Sequence, residues 1–158
     1  MQKSLDLPKN PHHLWEQFFS LTKIPRVSKK EEKIRNYIID IAKKHDLKFA
    51  MDSVGNLVVY VPGSSGYEKR ESVIIQNHLD MVCDALPSKK INFEEDGLTI
   101  FRDGDFIRAD GTTLGADNGI GVAASLALIF DKSVKHPPLE LLFTIDEETG
   151  LNIMRAFF

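Results

Sequence analysis

The sequence has only one cysteine and no long apolar run, and both features restrict the class of protein that it can encode. With only Cys83 among 158 residues, no disulfide can form within the chain. No stretch approaches the ~20 apolar residues that a membrane span requires. Residues 1–7 also lack the apolar core of a signal peptide. We therefore expect a cytoplasmic protein that has no membrane partner.

An excess of positive charge is absent as well. The chain carries 20 Lys and Arg against 23 Asp and Glu, which gives a formal net charge of -3. This balance provides no electrostatic reason to expect nucleic acid as a partner. The hydrophobic content of 42% and the charged content of 27% are those of a folded globular chain. A length of 158 residues suits one domain with its own core.

Hydrophobic periodicity predicts helices and strands in alternation. Helices are expected at 11–21, 28–45 and 118–130, the second opening with a capping box formed by Ser28 and Glu31. Strands are expected at 47–51, 56–61, 73–75 and 139–145, with a hairpin at 98–102 and 106–109 around an Asp-Gly turn. This order favours an α/β fold with a mostly parallel sheet and helices on both faces.

Two polar clusters stand where predicted elements begin or end. His78 and Asp80 follow an apolar strand, and in extended structure they share one face, as a metal ligand and its orienting partner would. A hydrogen-bonded histidine at a strand end explains this pair equally well. Asp117 stands in a glycine-rich loop and is either a helix N-cap or a cation ligand. The glycine spacing fits neither nucleotide fingerprint, and no lysine follows.

The third cluster is the acidic run Asp146-Glu147-Glu148 after an apolar strand. Adjacent carboxylates repel one another, so this placement costs stability unless a cation is present. A solvated acidic turn explains the run when it is considered alone. Three clusters together favour a site, because open α/β sheets bind ligands at that edge.

The candidate ligands are one imidazole and four carboxylates. A mixed nitrogen and oxygen set suits zinc, manganese or cobalt better than calcium. Cys83 lies near in sequence, but its neighbours are apolar, so we expect a small buried side chain rather than a nucleophile. The set consists of His78, Asp80, Asp117, Glu147 and Glu148.

Three longer motifs contain these residues. They are HLDMV at 78–82, DGTTLGADNGIG at 110–121, and HPPLE at 136–140 followed by TIDEE at 144–148. In these motifs the sequence resembles the aminoacyl-histidine dipeptidase family, whose wider group of zinc peptidases includes peptidase T and acetylornithine deacetylase. The likeness runs from about residue 14 to residue 150. The glycine motif is specific to the dipeptidase branch, whereas the other motifs indicate only the wider group.

The resemblance implies a three-layer α/β/α zinc-peptidase-like domain with a mostly parallel mixed sheet, truncated at its C-terminus. Residues 1–150 would be the N-terminal part of the catalytic domain, and 151–158 an atypical tail. The family's dimerisation or lid domain would be absent, together with the Asp and His ligands that come later in the family's chain. The family's homodimer would therefore lack its dimerisation domain here.

The resemblance also implies a role for each candidate residue. His78 would bind one of two divalent metal ions, zinc being expected, and Glu148 would bind the other. Asp117 would bridge both ions, and Asp80 would orient His78. Glu147 would be the general base that takes a proton from the activated water and passes it to the leaving amine. The implied substrate is a dipeptide of the Xaa-His type.

Two alternatives stay open at the level of sequence. One is an inactive fragment that binds metal weakly and self-associates through uncovered apolar surface and strand edge. The other is a related amidohydrolase or deacylase that shares the metal site.

Overall fold

The computed structural model describes residues 8–150, so the expected tail at 151–158 lies outside the described part of the chain. The predicted elements are present, with the third strand extended to His78. The helices are α1 (His12–Thr22), α2 (Glu32–Lys44) and α3 (Ala116–Phe130). The strands are β1 (Lys48–Met51), β2 (Leu57–Val61), β3 (Val73–His78), β4 (Ile100–Asp103), β5 (Phe106–Ala109) and β6 (Leu139–Thr144).

The main sheet has four strands in the order β1-β2-β6-β3, and it is mixed. The expected α/β class is confirmed. Strand β2 runs antiparallel to both β1 and β6, and only β3 and β6 are parallel. The expectation of mostly parallel pairing is therefore wrong for residues 8–150. The turn between β1 and β2 is too short for a crossover, so it imposes antiparallel pairing.

The Asp52 side chain stabilises this short turn. Its Oδ1 atom accepts hydrogen bonds from the backbone N–H groups of Val54, Gly55 and Asn56, at 3.0, 2.7 and 2.9 Å. An aspartate that satisfies several consecutive N–H groups replaces the partners that the backbone loses when it leaves the sheet. The turn thus fixes the register in which β1 pairs with β2.

One face of the sheet forms the core. In the register of β2 and β6, Leu57, Val59 and Val61 lie opposite Phe143, Leu141 and Leu139, and all six side chains are buried. The apolar sides of the three helices belong to the same cluster. Tyr37 of α2 also donates a hydrogen bond to Gln17 of α1, which joins these two helices at one point.

The opposite face of the sheet is only partly covered by residues 8–150. Tyr60 keeps 41% of its surface exposed and Ile74 keeps 61%, while Leu142 is half-buried. The described residues therefore supply the sheet and one helical layer. The second helical layer that the resemblance implied is not formed by them.

The hairpin of β4 and β5 forms a separate two-stranded sheet. Ile100 packs with Met81 and Leu98 in a small second cluster, against which Cys83 also packs. No helix in the described part of the chain is long and apolar enough to cross a membrane.

Neighbouring leucines on opposite sheet faces give a matched test of this packing. Leu141 is fully buried, so Leu141→Ala should lower the free energy of unfolding by about 2–5 kcal/mol, through lost burial and a cavity. Leu142→Ala makes the same chemical change on the half-buried face and should cost at most about 1.5 kcal/mol. Urea unfolding of both variants measures the difference. Equal losses would contradict a core on one face only.

Candidate metal centre

Parallel pairing of β3 and β6 brings two of the sequence clusters together. His78 at the end of β3 lies opposite Thr144 at the end of β6. The Leu79 N–H extends the ladder by donating to the Thr144 carbonyl at 2.8 Å. The chain therefore leaves β3 and β6 at the same edge of the sheet. Asp80 follows β3 there, and the acidic run Asp146-Glu147-Glu148 follows β6.

Asp80 is fully buried and is the most heavily bonded side chain of the cluster. Its carboxylate accepts hydrogen bonds from Ser28 Oγ at 2.7 Å and from the backbone N–H groups of Glu147 and Glu148 at 3.1 and 3.0 Å. Burial alone would raise the pKa of Asp80. These hydrogen bonds and the contact with His78 outweigh burial and hold that pKa well below its usual 3.8.

The two ring nitrogens of His78 face different carboxylates. Nδ1 lies 3.3 Å from Asp80 Oδ1, whereas Nε2 lies 3.0 Å from Asp117 Oδ1 and 3.9 Å from Glu147 Oε2. Burial lowers the pKa of the imidazole, but Asp80, Asp117 and Glu147 outweigh it and raise that pKa to about 9. One side of the ring is thus fixed, and the other side is turned toward the remaining acidic groups.

Asp117 reaches the cluster from the glycine-rich loop. Its side chain is 88% exposed, and its Oδ1 atom contacts His78. Backbone angles at Asp117 and Asn118 are not helical, and the peptide bond between them is cis. The contact recorded for the Asp117 carboxylate is with His78 rather than with a backbone N–H of α3, which favours a cation ligand over the helix cap that the sequence left open.

The assembled side chains fit a divalent cation. Ligand atoms of His78, Glu147 and Glu148 all lie within 4.8 Å of one another, and Asp117 approaches the same nitrogen of His78. An imidazole with its second nitrogen held by a carboxylate is the usual arrangement of a metal-binding histidine. Mixed nitrogen and oxygen donors of this kind favour zinc, manganese or cobalt.

The buried Arg26 connects the segment after β3 with the glycine-rich loop, and sequence analysis missed it because it lies outside every motif. Nη1 donates to the carbonyls of Leu79 and Asp80, both at 3.1 Å, and Nη2 donates to the carbonyl of Gly115. Burial lowers the pKa of this guanidinium to about 10, so it stays charged at neutral pH. Gly115 has a φ of 64°, and a Cβ there would collide with the guanidinium.

The predicted capping box is wrong. Helix α2 begins at Glu32, and its start has no capping bond from a side chain. Ser28 instead donates to Asp80, while Glu31 Oε1 accepts the backbone N–H of Asp146 at 2.8 Å. The Ser28 and Glu31 side chains thus pair with buried polar groups that follow β3 and β6. Those groups would otherwise lack hydrogen-bond partners.

Two other sequence candidates lie apart from the cation ligands. Asp146 is buried with a φ of 55°, and its carboxylate accepts a hydrogen bond from Thr149 at 2.5 Å. Cys83 is half-buried, and burial raises the pKa of its thiol. A thiol with a raised pKa is a poor nucleophile at neutral pH, which agrees with the packing role expected for Cys83.

Two solved peptidase structures share this fold. A tripeptidase from Staphylococcus aureus is 21% identical with a TM-score of 0.73, and aminopeptidase PepT from Bacillus cereus is 23% identical with a TM-score of 0.75. Each match covers 93% of this chain and 39% of the other. At this identity the likeness shows the fold, which is the α/β fold of these peptidases. No family model matches the sequence.

Two relatives with higher sequence identity are both named dipeptidases. Cytosol non-specific dipeptidase of Escherichia coli is 41% identical over 143 residues, which are 90% of this chain and 30% of the relative. The crystal structure of aminoacylhistidine dipeptidase from Vibrio alginolyticus is 39% identical with a TM-score of 0.88, over 92% of this chain and 29% of that one. The chain is thus similar to these dipeptidases over at least 90% of its own length, and it spans about 30% of theirs.

The raised pKa of His78 predicts how stability depends on pH without metal. Below the unfolded pKa of 6.5 the stabilisation is complete, and it is lost as pH rises through the folded pKa of about 9. With a chelator present, the free energy of unfolding should therefore fall by on the order of 3 kcal/mol between pH 6 and pH 10.

Urea titrations at several pH values measure this decline. The His78→Gln variant should show a flatter profile, because it lacks the titrating ring. The His45→Gln variant, altered outside the cluster, should keep the wild-type slope. A wild-type profile that is flat across this range would contradict the contacts described for His78.

Proposed function

We propose that this chain holds the metal centre of a dipeptidase and hydrolyses the peptide bond of small substrates of the Xaa-His type. The observation that carries the proposal is the approach of four potential ligands at one sheet edge, supported by a buried carboxylate. These ligands are His78, Asp117, Glu147 and Glu148. The likeness to two dipeptidases, one of them named for aminoacylhistidine, supports the substrate class.

The proposed metal ligands are His78 for one divalent ion, Glu148 for a second ion, and Asp117 between the two. When bound, such ions, zinc being expected, lower the pKa of water and polarise the scissile carbonyl. Four-coordinate zinc needs more donors than these three side chains offer. A working centre would therefore take further ligands from outside the described residues or from the substrate.

Asp80 is proposed to position His78. It lies 3.3 Å from Nδ1, and its own orientation is fixed by Ser28 and by two backbone N–H groups. This holds the imidazole with Nε2 facing the cluster. A histidine in a fixed tautomer needs less reorganisation when it becomes a ligand.

Glu147 is proposed as the general base. Its Oε2 atom lies 3.9 Å from His78 Nε2, and its side chain is 35% exposed, so a substrate and a water molecule can reach it. Its backbone N–H donates to the Asp80 carboxylate. This hydrogen bond fixes the position of the Glu147 backbone from which the side chain extends. The carboxylate would accept a proton from the attacking water and deliver it to the leaving amine.

A cytoplasmic location is part of the proposal. The Escherichia coli relative is named for the cytosol, and dipeptides released by proteolysis would reach this chain there.

Hydrolysis of an Xaa-His dipeptide by the purified chain, with added zinc or manganese, tests the proposal. We expect turnover that a chelator abolishes. Glu147→Gln should lower the rate by roughly 10²–10⁴-fold through loss of the base, while bound metal is retained. The exposed Glu95→Gln is the matched control and should keep the wild-type rate.

Other outcomes identify the alternatives. Metal binding without turnover would contradict the catalytic proposal and indicate an inactive fragment. Cleavage of an N-acetyl amino acid in preference to the dipeptide would indicate a deacylase. A full rate in Glu147→Gln would reject Glu147 as the base.

A further inference from the structure

A second group of metal-binding side chains lies at the start of α1, and it shares no residue with the sheet-edge cluster. His12 Nε2 lies 3.8 Å from Glu16 Oε2, and His13 Nδ1 lies 3.6 Å from the same oxygen. One ligand atom from each of the three side chains lies within 4.8 Å of the others. The carboxylate oxygen is thus close to both imidazole nitrogens.

The His13 ring is held in place by packing. It stacks on Phe130 at the end of α3, with ring centroids 5.9 Å apart and an angle of 24° between the planes. The edge of His45 packs against the same phenylalanine, with centroids 4.9 Å apart. Stacking fixes the direction in which Nδ1 points. That atom is buried and has no hydrogen-bond partner among the described residues.

The observed spacing is close to that of a metal site. Zinc binds imidazole nitrogen and carboxylate oxygen at about 2.0–2.2 Å, so ligand atoms on a tetrahedron lie roughly 3.3 Å apart. The distances of 3.6 and 3.8 Å from Glu16 to the two histidines exceed this value by only a few tenths of an ångström. Small side-chain rotations bring all three ligands into range, because His12 and Glu16 are exposed.

We propose that His12, His13 and Glu16 bind a divalent transition-metal ion, with Zn²⁺, Co²⁺ or Ni²⁺ as the fitting class. Two imidazoles and one carboxylate leave a fourth position for water. Imidazole ligands select these ions over Mg²⁺ and Ca²⁺, which prefer oxygen. The Glu16 carboxylate also offsets the unfavourable effect of a cation at the positive end of the helix.

An ion at this site would link two helices. All three ligands lie within the first turns of α1, and the His13 ring rests on the last residue of α3. A bound ion would therefore restrict the start of α1 and hold the His13 ring against Phe130. Without an ion the same residues form only histidine–glutamate contacts of 3.6 and 3.8 Å in which Glu16 is exposed, and such contacts contribute little to stability.

The test counts zinc equivalents bound to the full chain by equilibrium dialysis. His12→Gln and Glu16→Gln alter exposed side chains, and each should remove one equivalent or weaken its binding at least tenfold. His45→Gln is the matched control, because it changes a histidine that packs on Phe130 outside the three ligands. Circular dichroism checks that each variant keeps its helices.

The His78→Ala variant distinguishes zinc bound at the sheet-edge cluster from zinc bound by His12, His13 and Glu16. That variant should keep the equivalent that His12→Gln loses, and its Co²⁺ complex should retain the visible absorption of tetrahedral coordination. The inference is overturned if His12→Gln and Glu16→Gln bind as much zinc as the wild type. It is equally overturned if the equivalent depends on His78. Neither result bears on dipeptide hydrolysis, which is measured separately.

Discussion

The buried carboxylate of Asp80 is the interaction on which the rest of the site depends. A charged group without exposure is tolerated only when its hydrogen-bonding capacity is filled, and an unfilled one costs several kcal/mol. Its hydrogen bonds come from two distant parts of the chain, Ser28 and the backbone that follows β6, and the ring of the nearby His78 lies 3.3 Å away. Few arrangements of strands and loops can satisfy one anion from two such places. The requirement to solvate this charge thus selects the geometry of the sheet-edge cluster.

A buried cation complements this anion. Arg26 reaches the carbonyls that follow β3 and the carbonyl before Asp117, so one guanidinium sets the distance between two loops. A bidentate or tridentate guanidinium is stiffer than a lysine in the same role, because its donors lie in one plane. Opposite charges beneath the surface therefore hold the sheet-edge cluster, in which the Asp117 side chain is the most exposed, at 88%.

Much of this could be predicted from the sequence, and the failures have physical causes. Periodicity located the helices and strands, and polar residues at strand ends indicated which side chains would meet at one edge. The capping box failed because buried polar groups far along the chain compete for Ser28 and Glu31. Parallel pairing was overestimated because strand order depends on long-range packing. Arg26 was missed because its partners are backbone carbonyls, which leave no trace in a motif.

The contact between Arg26 and Gly115 has a consequence for how such a sequence can evolve. A methyl group at position 115 would occupy the space of the guanidinium, and a shorter side chain at position 26 would release the carbonyl that glycine presents. A shorter side chain at position 26 would still not accommodate the methyl group, because φ at Gly115 is 64° and Met81 Sδ lies 2.6 Å from the position of the Cβ. Among homologous chains glycine should therefore persist at position 115, and divergence at the loop should be slow wherever the arginine is retained.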